Sequence, residues 1–261
     1  IFIGIGIYSL FEKVFQKFNF KWSLIITGIL AFLALPAYML SENFDDHNRS
    51  NRYFDLNIAR SYLESCEPNA ILFTYGDNDT YPLWYAQEVE EIRTDVRVIN
   101  FGLMGADWCI RQLSRKNHQS EAIPFSIPLL RYREGDLDNA LMMEQSKEYA
   151  DLKSVVRFIG SNDEASKLPL RNGDKIDFSP TRNIYSVTSA GDTIAWEIKK
   201  EILYKNDIAL LDILASNNWQ RPVYFTIGGD TDIFLGLDKY MRNDGLVLKV
   251  DPTMKRSTEK E

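Results

Sequence analysis

Two acidic turns carry the residues of this sequence that could do chemistry. The first reads Gly76-Asp77-Asn78-Asp79 and the second Gly229-Asp230-Thr231-Asp232, and each follows a short apolar run that is typical of a buried strand. Carboxylate oxygens in such turns can bind a divalent cation or accept hydrogen bonds from sugar hydroxyls. The same residue types also close turns and cap helices, because Asp accepts backbone hydrogen bonds and Gly permits the turn. Ligand binding and capping therefore both stay open for each turn.

Aromatic residues near these turns add a second component to the predicted site. Tyrosine and tryptophan rings offer a flat apolar surface with a polar edge, although in most such patterns they belong to the core. We predict a ligand site formed by the acidic turns and two tryptophans: Asp77, Asn78, Asp79, Trp84, Trp219, Asp230 and Asp232. The sequence assigns neither a catalytic group nor a metal ligand, and no cofactor is expected.

Cysteine and histidine are too scarce to support the common metal or nucleophile sites. The only cysteines are Cys66 and Cys109, and the only histidines are His47 and His118. A zinc site with cysteine and histidine ligands, or a serine triad with a histidine base, therefore has few candidates. Each cysteine lies in a predicted helix, and we predict two separate buried thiols rather than a disulfide.

The elements that position the first acidic turn are predicted to form a βαβ unit. A helix at 53–66 precedes a strand at 70–75, a helix at 82–92 and a strand at 96–101. Both strands are largely apolar, and a crossover of this length favours parallel pairing. Ligands of such sheets bind beyond the carboxyl ends of the strands, which is where the acidic turn falls.

The second acidic turn follows a later strand and belongs to the same predicted fold. The remaining predicted elements, in chain order, are helices at 107–116 and 139–158, strands at 175–178, 184–187 and 193–198, a helix at 207–216, a strand at 222–227, a helix near 233–241 and a strand at 246–250. The predicted fold class is α/β, with a mostly parallel sheet and an inserted β-hairpin region.

The first 41 residues are far more apolar than the rest of the chain. Residues 22–40 carry no charge, and as a helix they would extend about 28 Å, close to the thickness of the hydrocarbon core of a bilayer. We predict one complete transmembrane helix there, preceded at residues 1–11 by the end of another. The chain is therefore expected to be part of a longer protein.

Charges on either side of the predicted membrane helix indicate its orientation. The connector at 12–21 holds three lysines and one glutamate, whereas residues 41–46 are acidic, which places the connector in the cytoplasm. The predicted domains are a membrane hairpin at 1–41, an exported domain at 42–252 and a charged tail or linker at 253–261. The whole chain has a formal charge of −7, and the part after residue 41 has −9 because the connector is basic. This acidity argues against nucleic acid as a partner.

The segment that follows the predicted membrane helix contains charges of both signs. Arg49 and Arg52 lie where they could contact an anionic lipid phosphate. A solvated linker is the alternative, because a short arginine pair is a weak signal.

Four segments of the predicted exported domain together resemble a known family. They are Asp46–Arg52, Ala70–Tyr85, Asp95–Asn100 and Asn217–Phe225, within a resemblance that extends from Asp45 to about Asp251. The sequence resembles a family of bacterial polytopic membrane proteins of formerly unknown function, which is related to the eukaryotic transmembrane protein O-mannosyltransferases. The resemblance implies a glycosyltransferase of the bacterial inner membrane that uses a lipid-linked sugar, with a periplasmic C-terminal domain. It also implies that the catalytic acid lies upstream of this chain.

The resemblance sets the functional expectation for the exported domain. It is expected to be an accessory or acceptor-handling domain of a membrane-embedded protein O-glycosyltransferase, inactive by itself. The partners of the full-length enzyme would be the lipid-linked sugar, a protein acceptor and the membrane. Two alternatives stay open: a periplasmic module that binds glycan or peptide without transferase activity, and a metal-dependent hydrolase built on the acidic turns.

Overall fold

The chain divides into two compact units, residues 1–53 and residues 54–261. The computed structural model describes residues 2–14, 20–188, 190–227 and 231–254. The first unit contains helices α1 (Phe2–Val14) and α2 (Phe20–His47). Of the predicted charged tail, residues 255–261 lie outside the described residues.

Helix α2 contains the predicted membrane span at residues 22–40. It continues beyond that span to His47, through Glu42, Asp45 and Asp46, and it has Pro36 inside it. Some side chains of the predicted span lie outside the described part of the chain. In contrast to the prediction, no helix among the described residues is both long enough and apolar enough to cross a membrane.

The second unit is a mixed α/β fold, as the sequence predicts. Its α-helices are α3 (Phe54–Ser65), α4 (Asp77–Glu88), α5 (Asp107–Leu113), α6 (Leu152–Gly160) and α7 (Lys205–Asn217). Its strands are β1 (Ile71–Thr74), β2 (Arg97–Asn100), β3 (Asn139–Met142), β4 (Ala150–Asp151), β5 (Lys167–Pro169), β6 (Lys175–Ser179), β7 (Asn183–Val187), β8 (Thr193–Glu197), β9 (Ile202–Tyr204), β10 (Val223–Thr226), β11 (Met241–Asp244) and β12 (Val247–Val250).

The largest sheet among these residues has five strands in the order β11-β12-β10-β1-β2. Strand β1 pairs in parallel with both β10 and β2, whereas β10 pairs with β12, and β12 with β11, in antiparallel. The sheet is therefore mixed rather than mostly parallel. One of the two antiparallel pairs has a local cause: only Gly245 and Leu246 separate β11 from β12, and so short a connection permits antiparallel pairing alone.

The two faces of this sheet bury different residues of the same strands. Ile71, Phe73 and Ile99 belong to a large hydrophobic core that includes α5, α6 and α7. Leu72 and Val98 belong to a second, smaller core beneath α3 and α4. Successive side chains of a strand point to opposite faces, and both faces of the sheet are covered. Every β1 residue is therefore buried, which explains the continuous apolar run in the sequence.

Helix α4 begins five residues earlier than the sequence predicts. The prediction places its start at Pro82, but the helix spans Asp77–Glu88 with Gly76 as its N-cap. Its hydrogen bonding begins with the amide of Thr80, which donates to the carbonyl of Gly76 at 3.1 Å. Proline inside the helix removes one backbone donor near the N-terminus and does not prevent the turn before it. The first acidic turn is consequently the first turn of α4.

The part of the chain between β2 and β10 differs most from the prediction. The helix predicted at 139–158 is divided into β3, β4 and the shorter α6, which begins where the side chain of Asp151 accepts from the amide of Ser154. Strand β3 pairs with β6 and β9, and β4 pairs with β7. These distant partners override the local helical pattern of the segment.

The predicted strands at 175–178, 184–187 and 193–198 are present as β6, β7 and β8. Strands β7 and β8 pair in antiparallel, whereas β6 joins a separate sheet of the order β5-β6-β3-β9. The helix predicted near 233–241 is replaced by two short 3-10 turns and by β11.

Candidate functional site

The two acidic turns begin side by side at one edge of the large sheet. Strands β1 and β10 are parallel neighbours with Phe73 opposite Phe225, so their carboxyl ends meet at the same edge. The hydroxyl of Thr226, the last residue of β10, donates to Oδ2 of Asp79 at 2.6 Å. The carboxyl ends of β1 and β10 therefore lie next to each other, as the sequence predicts, and Asp79 lies between them.

The backbone contacts of Asp79 are those of a turn-closing residue. Its Oδ1 accepts the amide of Gly76 at 2.9 Å, and its Oδ2 accepts the amide of Tyr75, also at 2.9 Å. With the hydroxyl of Thr226 the carboxylate receives three protein donors. This arrangement is the capping alternative that the sequence left open.

Asp77, Asn78 and Asp232, the other described residues of the predicted site in the acidic turns, are exposed. Asp77 and Asn78 lie on the outside of the first turn of α4, where a negative charge is favourable at the positive end of the helix dipole. Asp232 is exposed in a 3-10 turn, and Asp230 lies outside the described residues. No group of three or more His, Cys, Asp or Glu side chains in the described part of the chain could hold a metal ion. A ligand shared by the two turns stays a prediction.

A buried network of hydroxyl and amide side chains lies at the carboxyl ends of β1 and β2. The hydroxyls of Thr74 and Thr80 are hydrogen-bonded at 2.6 Å, and Asn100 donates from Nδ2 to Oγ1 of Thr80 at 2.9 Å. Oδ1 of Asn100 accepts the amide of Leu103 at 2.9 Å. These contacts fix the start of α4 and the end of β2 against β1. Polar residues at the ends of apolar strands are the only sign of these contacts in the sequence.

Strand β2 ends the large sheet, and a groove of about 480 Å³ runs along its open side. All of β2 lines this groove, including residues that face opposite sides of the sheet, so the groove follows the strand edge itself. We call it the edge groove and define it by β2 with Tyr81 and Trp84 from α4, Trp108 and Gln112 from α5, and His118.

The backbone register of β2 shows which peptide groups face the edge groove. The amide of Arg97 donates to the carbonyl of Ala70, and that of Phe101 donates to the carbonyl of Thr74, both at 2.8 Å. Peptide groups alternate along a strand, so the amides of Val98 and Asn100 point away from β1 and toward the groove. All four residues of β2 are buried, so an additional extended strand could pair with this edge only by entering the groove.

Aromatic side chains form both walls of the edge groove. Tyr81 and Trp84 are in ring contact on the α4 side, with 5.7 Å between their centroids. Trp108, on the α5 side, is 48% exposed although it belongs to the most apolar residue types. At one end, Nε2 of His118 is 2.9 Å from Oε2 of Glu88. Flat rings on both sides of a strand edge can hold peptide planes, proline rings or sugar rings.

Of the two predicted tryptophans, only Trp84 lines the edge groove. Trp219 precedes β10, so it lies at the end of that strand opposite to the acidic turns. Its Nε1 donates to Oγ of Ser186 at 2.9 Å, and its ring packs against the large core. The prediction that Trp219 lies near the acidic turns is wrong, because it placed the residue by its distance along the chain and not by strand direction.

The predicted lipid-contacting arginines belong to the first unit. Arg49 and Arg52 are both exposed, and the amide of Arg52 donates to the carbonyl of Arg49 at 3.1 Å in a turn. Contact with lipid phosphate stays a prediction. Cys66 and Cys109 are buried and free, as the sequence predicts.

Comparison with known proteins identifies the family of the second unit. A protein-family model described as TMEM260-associated domain 2 matches residues 55–261, which include all the strands given above and the edge groove. No curated protein and no solved structure is significantly similar to the chain.

Proposed function

Because the chain belongs to the family of TMEM260-associated domain 2, we propose that its second unit handles the acceptor for a membrane-embedded protein O-glycosyltransferase of the O-mannosyltransferase type. TMEM260 is a suspected protein O-mannosyltransferase, which supports this assignment. In such an enzyme a lipid-linked sugar is transferred to a hydroxyl of a polypeptide, and the catalytic acid would lie in another part of the protein. The second unit would contribute binding and orientation of the acceptor, which lowers the entropic part of the barrier.

The observation that carries the proposal is the edge groove. An unpaired strand edge recognises the backbone of an extended chain, and backbone pairing depends little on the sequence of the partner. This mode suits a domain that must present serine or threonine hydroxyls from varied sequences. The rings of Tyr81, Trp84 and Trp108 would add affinity without requiring particular side chains.

A second candidate function is glycan binding without transferase activity. The aromatic rings on both walls favour it, since a sugar ring also stacks on tryptophan and tyrosine. The amides of Val98 and Asn100, which point away from β1, favour the polypeptide, because their spacing is that of successive outward peptide groups along a strand.

The proposed location follows from the charge distribution of the sequence. We propose that the protein lies in the bacterial inner membrane, with the second unit in the periplasm. The lysines of the connector and the acidic residues after position 40 support this orientation. Arg49 and Arg52 would then lie close to the lipid head groups.

Binding measurements on the full chain test the proposed function. Extended peptides rich in serine and threonine should quench or enhance tryptophan fluorescence, and Trp108→Ala should weaken their binding about tenfold through loss of stacking area. Tyr149→Ala is the matched control, because Tyr149 is equally exposed at 49% and does not line the groove. Binding of oligosaccharides but not peptides would favour the second candidate, and equal losses in both variants would contradict a role for the groove.

A further inference from the structure

The floor of the edge groove contains a buried arginine with an unused donor. Arg97 is only 5% exposed and lines the groove. Its Nη2 donates to three backbone carbonyls at the end of α5, those of Gln112 at 3.1 Å, Leu113 at 3.2 Å and Arg115 at 2.9 Å. Its Nη1 is buried and has no hydrogen-bond partner among the described residues. A buried charged group without a partner is costly, so this atom calls for an explanation.

The surroundings of Arg97 supply no compensating negative charge. Burial lowers the pKa of Arg97, and the neighbouring guanidinium of Arg221 lowers it further. Burial also raises the pKa of the Cys109 thiol to about 11, so this neighbour is neutral at physiological pH. Glu121 forms an ion pair with Lys116, and no ion pair joins a described carboxylate to Arg97. The site therefore combines positive charge with low polarity.

Another arginine of the same unit shows how this fold neutralises a buried guanidinium. Arg131 is also 5% exposed, but it forms ion pairs with Asp136 and with Asp177, the latter at 3.0 Å. It donates in addition to the carbonyls of Gly160 and Ser161. Arg97 has the carbonyl contacts without the carboxylates. Both arginines line cavities, but the charge of Arg131 is already paired within the protein, whereas a ligand in the edge groove could supply the charge that Arg97 lacks.

We propose that the edge groove binds its ligand through a carboxylate that pairs with Arg97. This inference rests on the proposed function, under which the carboxylate belongs to the acceptor polypeptide, either on an acidic side chain or at the chain terminus. Arg97 shares a sheet face with Ile99, on the α5 side. A strand added along β2 would direct every second side chain to that face, so the backbone and the carboxylate can be bound together.

Paired peptides measure the contribution of the carboxylate directly. In the full chain, a serine- and threonine-rich extended peptide with glutamate at one position should bind about tenfold more tightly than the same peptide with glutamine, as expected for a charge-assisted hydrogen bond. Arg97→Gln should abolish this difference. Arg133→Gln should preserve it, because Arg133 is exposed and does not line the groove. Amidated and free C-termini distinguish a terminal carboxylate from a side-chain carboxylate.

A second variant guards against simple misfolding, since Arg97 also caps the end of α5. Arg97→Lys keeps the positive charge but not the planar guanidinium with its several donors, so it should retain part of the preference for glutamate. Thermal unfolding of this variant reports any damage to the fold. Equal affinity for the glutamate and glutamine peptides in the unmodified chain would overturn the inference, leaving water as the partner of Nη1.

Acetate separates this inference from the proposed function. If no peptide binds, the proposed function fails, and acetate titrated against the fluorescence of the groove tryptophans still tests Arg97. Binding of acetate that Arg97→Gln removes would support the carboxylate site, and absence of any Arg97-dependent acetate binding would overturn it.

Discussion

Asp77 and Asp79 are two positions apart and of the same residue type, yet they have different roles in the fold. Asp79 closes the turn between β1 and α4 and accepts the hydroxyl of β10. Asp77 faces solvent one turn from the end of the strand. Residue type alone could not separate these roles, because both residues satisfy the capping pattern and the ligand pattern equally well.

Replacement of these two residues should affect stability unequally. Asp79→Ala removes the acceptor of two backbone amides and one hydroxyl, and it should lower the free energy of unfolding by about 1–3 kcal/mol. Asp77→Ala removes a favourable helix-dipole contact only and should cost less than about 0.5 kcal/mol. Urea unfolding of the two variants and the unmodified chain measures both values. Similar midpoints for both variants would contradict the structural role of Asp79.

Asp95 provides a prediction that depends on pH. The hydrogen bond from Arg93 lowers the pKa of Asp95 below its ordinary value of 3.8, with the amide of Asn69 adding to the effect against the opposing influence of burial. Arg93 in turn donates to the carbonyls of Leu63 and Cys66, so the pair connects α3 to the start of β2.

A lowered pKa in the folded state means that Asp95 stabilises the protein when it is ionised. This contribution is complete above the ordinary pKa and is lost as the pH falls through the lower pKa of the folded state. Asp95→Asn should therefore reduce the free energy of unfolding by about 1–2 kcal/mol at pH 7 and by progressively less below about pH 4. Unfolding curves at several pH values provide the measurement. A difference that stays constant down to pH 2 would show that ionisation is not its source.

At the scale of elements, the βαβ unit could be predicted and the partners of its strands could not. The strands at 71–74 and 97–100 are recognisable because both of their faces are buried, which gives continuous apolar runs. Residues 139–158 have apolar residues at helical spacing, and only pairing with β6, β7 and β9 divides them into strands and a helix. Strand order depends on such distant contacts. The edge groove was invisible in the sequence for that reason, and the ligand-binding role predicted for Trp84, which lines the groove, stays a prediction.

Two proline substitutions in neighbouring positions of β2 test the open edge. The amide of Val98 faces the groove, whereas the amide of Ile99 lies on the side that pairs with β1. Val98→Pro should remove peptide binding because it deletes an outward donor, and it should cost about 1–2 kcal/mol of stability because the valine side chain is buried in the second core. Ile99→Pro should cost about 3 kcal/mol or more, since it breaks the pairing with β1 and removes a buried side chain. Thermal unfolding and peptide titration of both variants distinguish the two sides, and full peptide affinity in Val98→Pro would exclude pairing along the groove.

At the scale of the whole molecule, the family match and the charges that indicate membrane orientation lie in different units. The family match begins at residue 55 and covers the second unit, which contains nearly all the acidic residues. The lysines of the connector belong to the first unit and are the evidence for orientation. The membrane arrangement is therefore a proposal that depends on a few charges, and it can be tested without reference to enzymatic activity.

Cysteine labelling tests the proposed orientation, and the chain is well suited to it. Its two native thiols are buried, and burial raises the pKa of Cys66 to about 12 and that of Cys109 to about 11, so both should react slowly. Asn172→Cys places an exposed thiol in the turn between β5 and β6, and Lys13→Cys places one at the end of α1. In cells with a permeable outer membrane, a maleimide that cannot cross the inner membrane should label Asn172→Cys and leave Lys13→Cys unlabelled. The reverse pattern would show that the second unit is cytoplasmic, because a charged reagent reaches only thiols on the outer side of an intact bilayer.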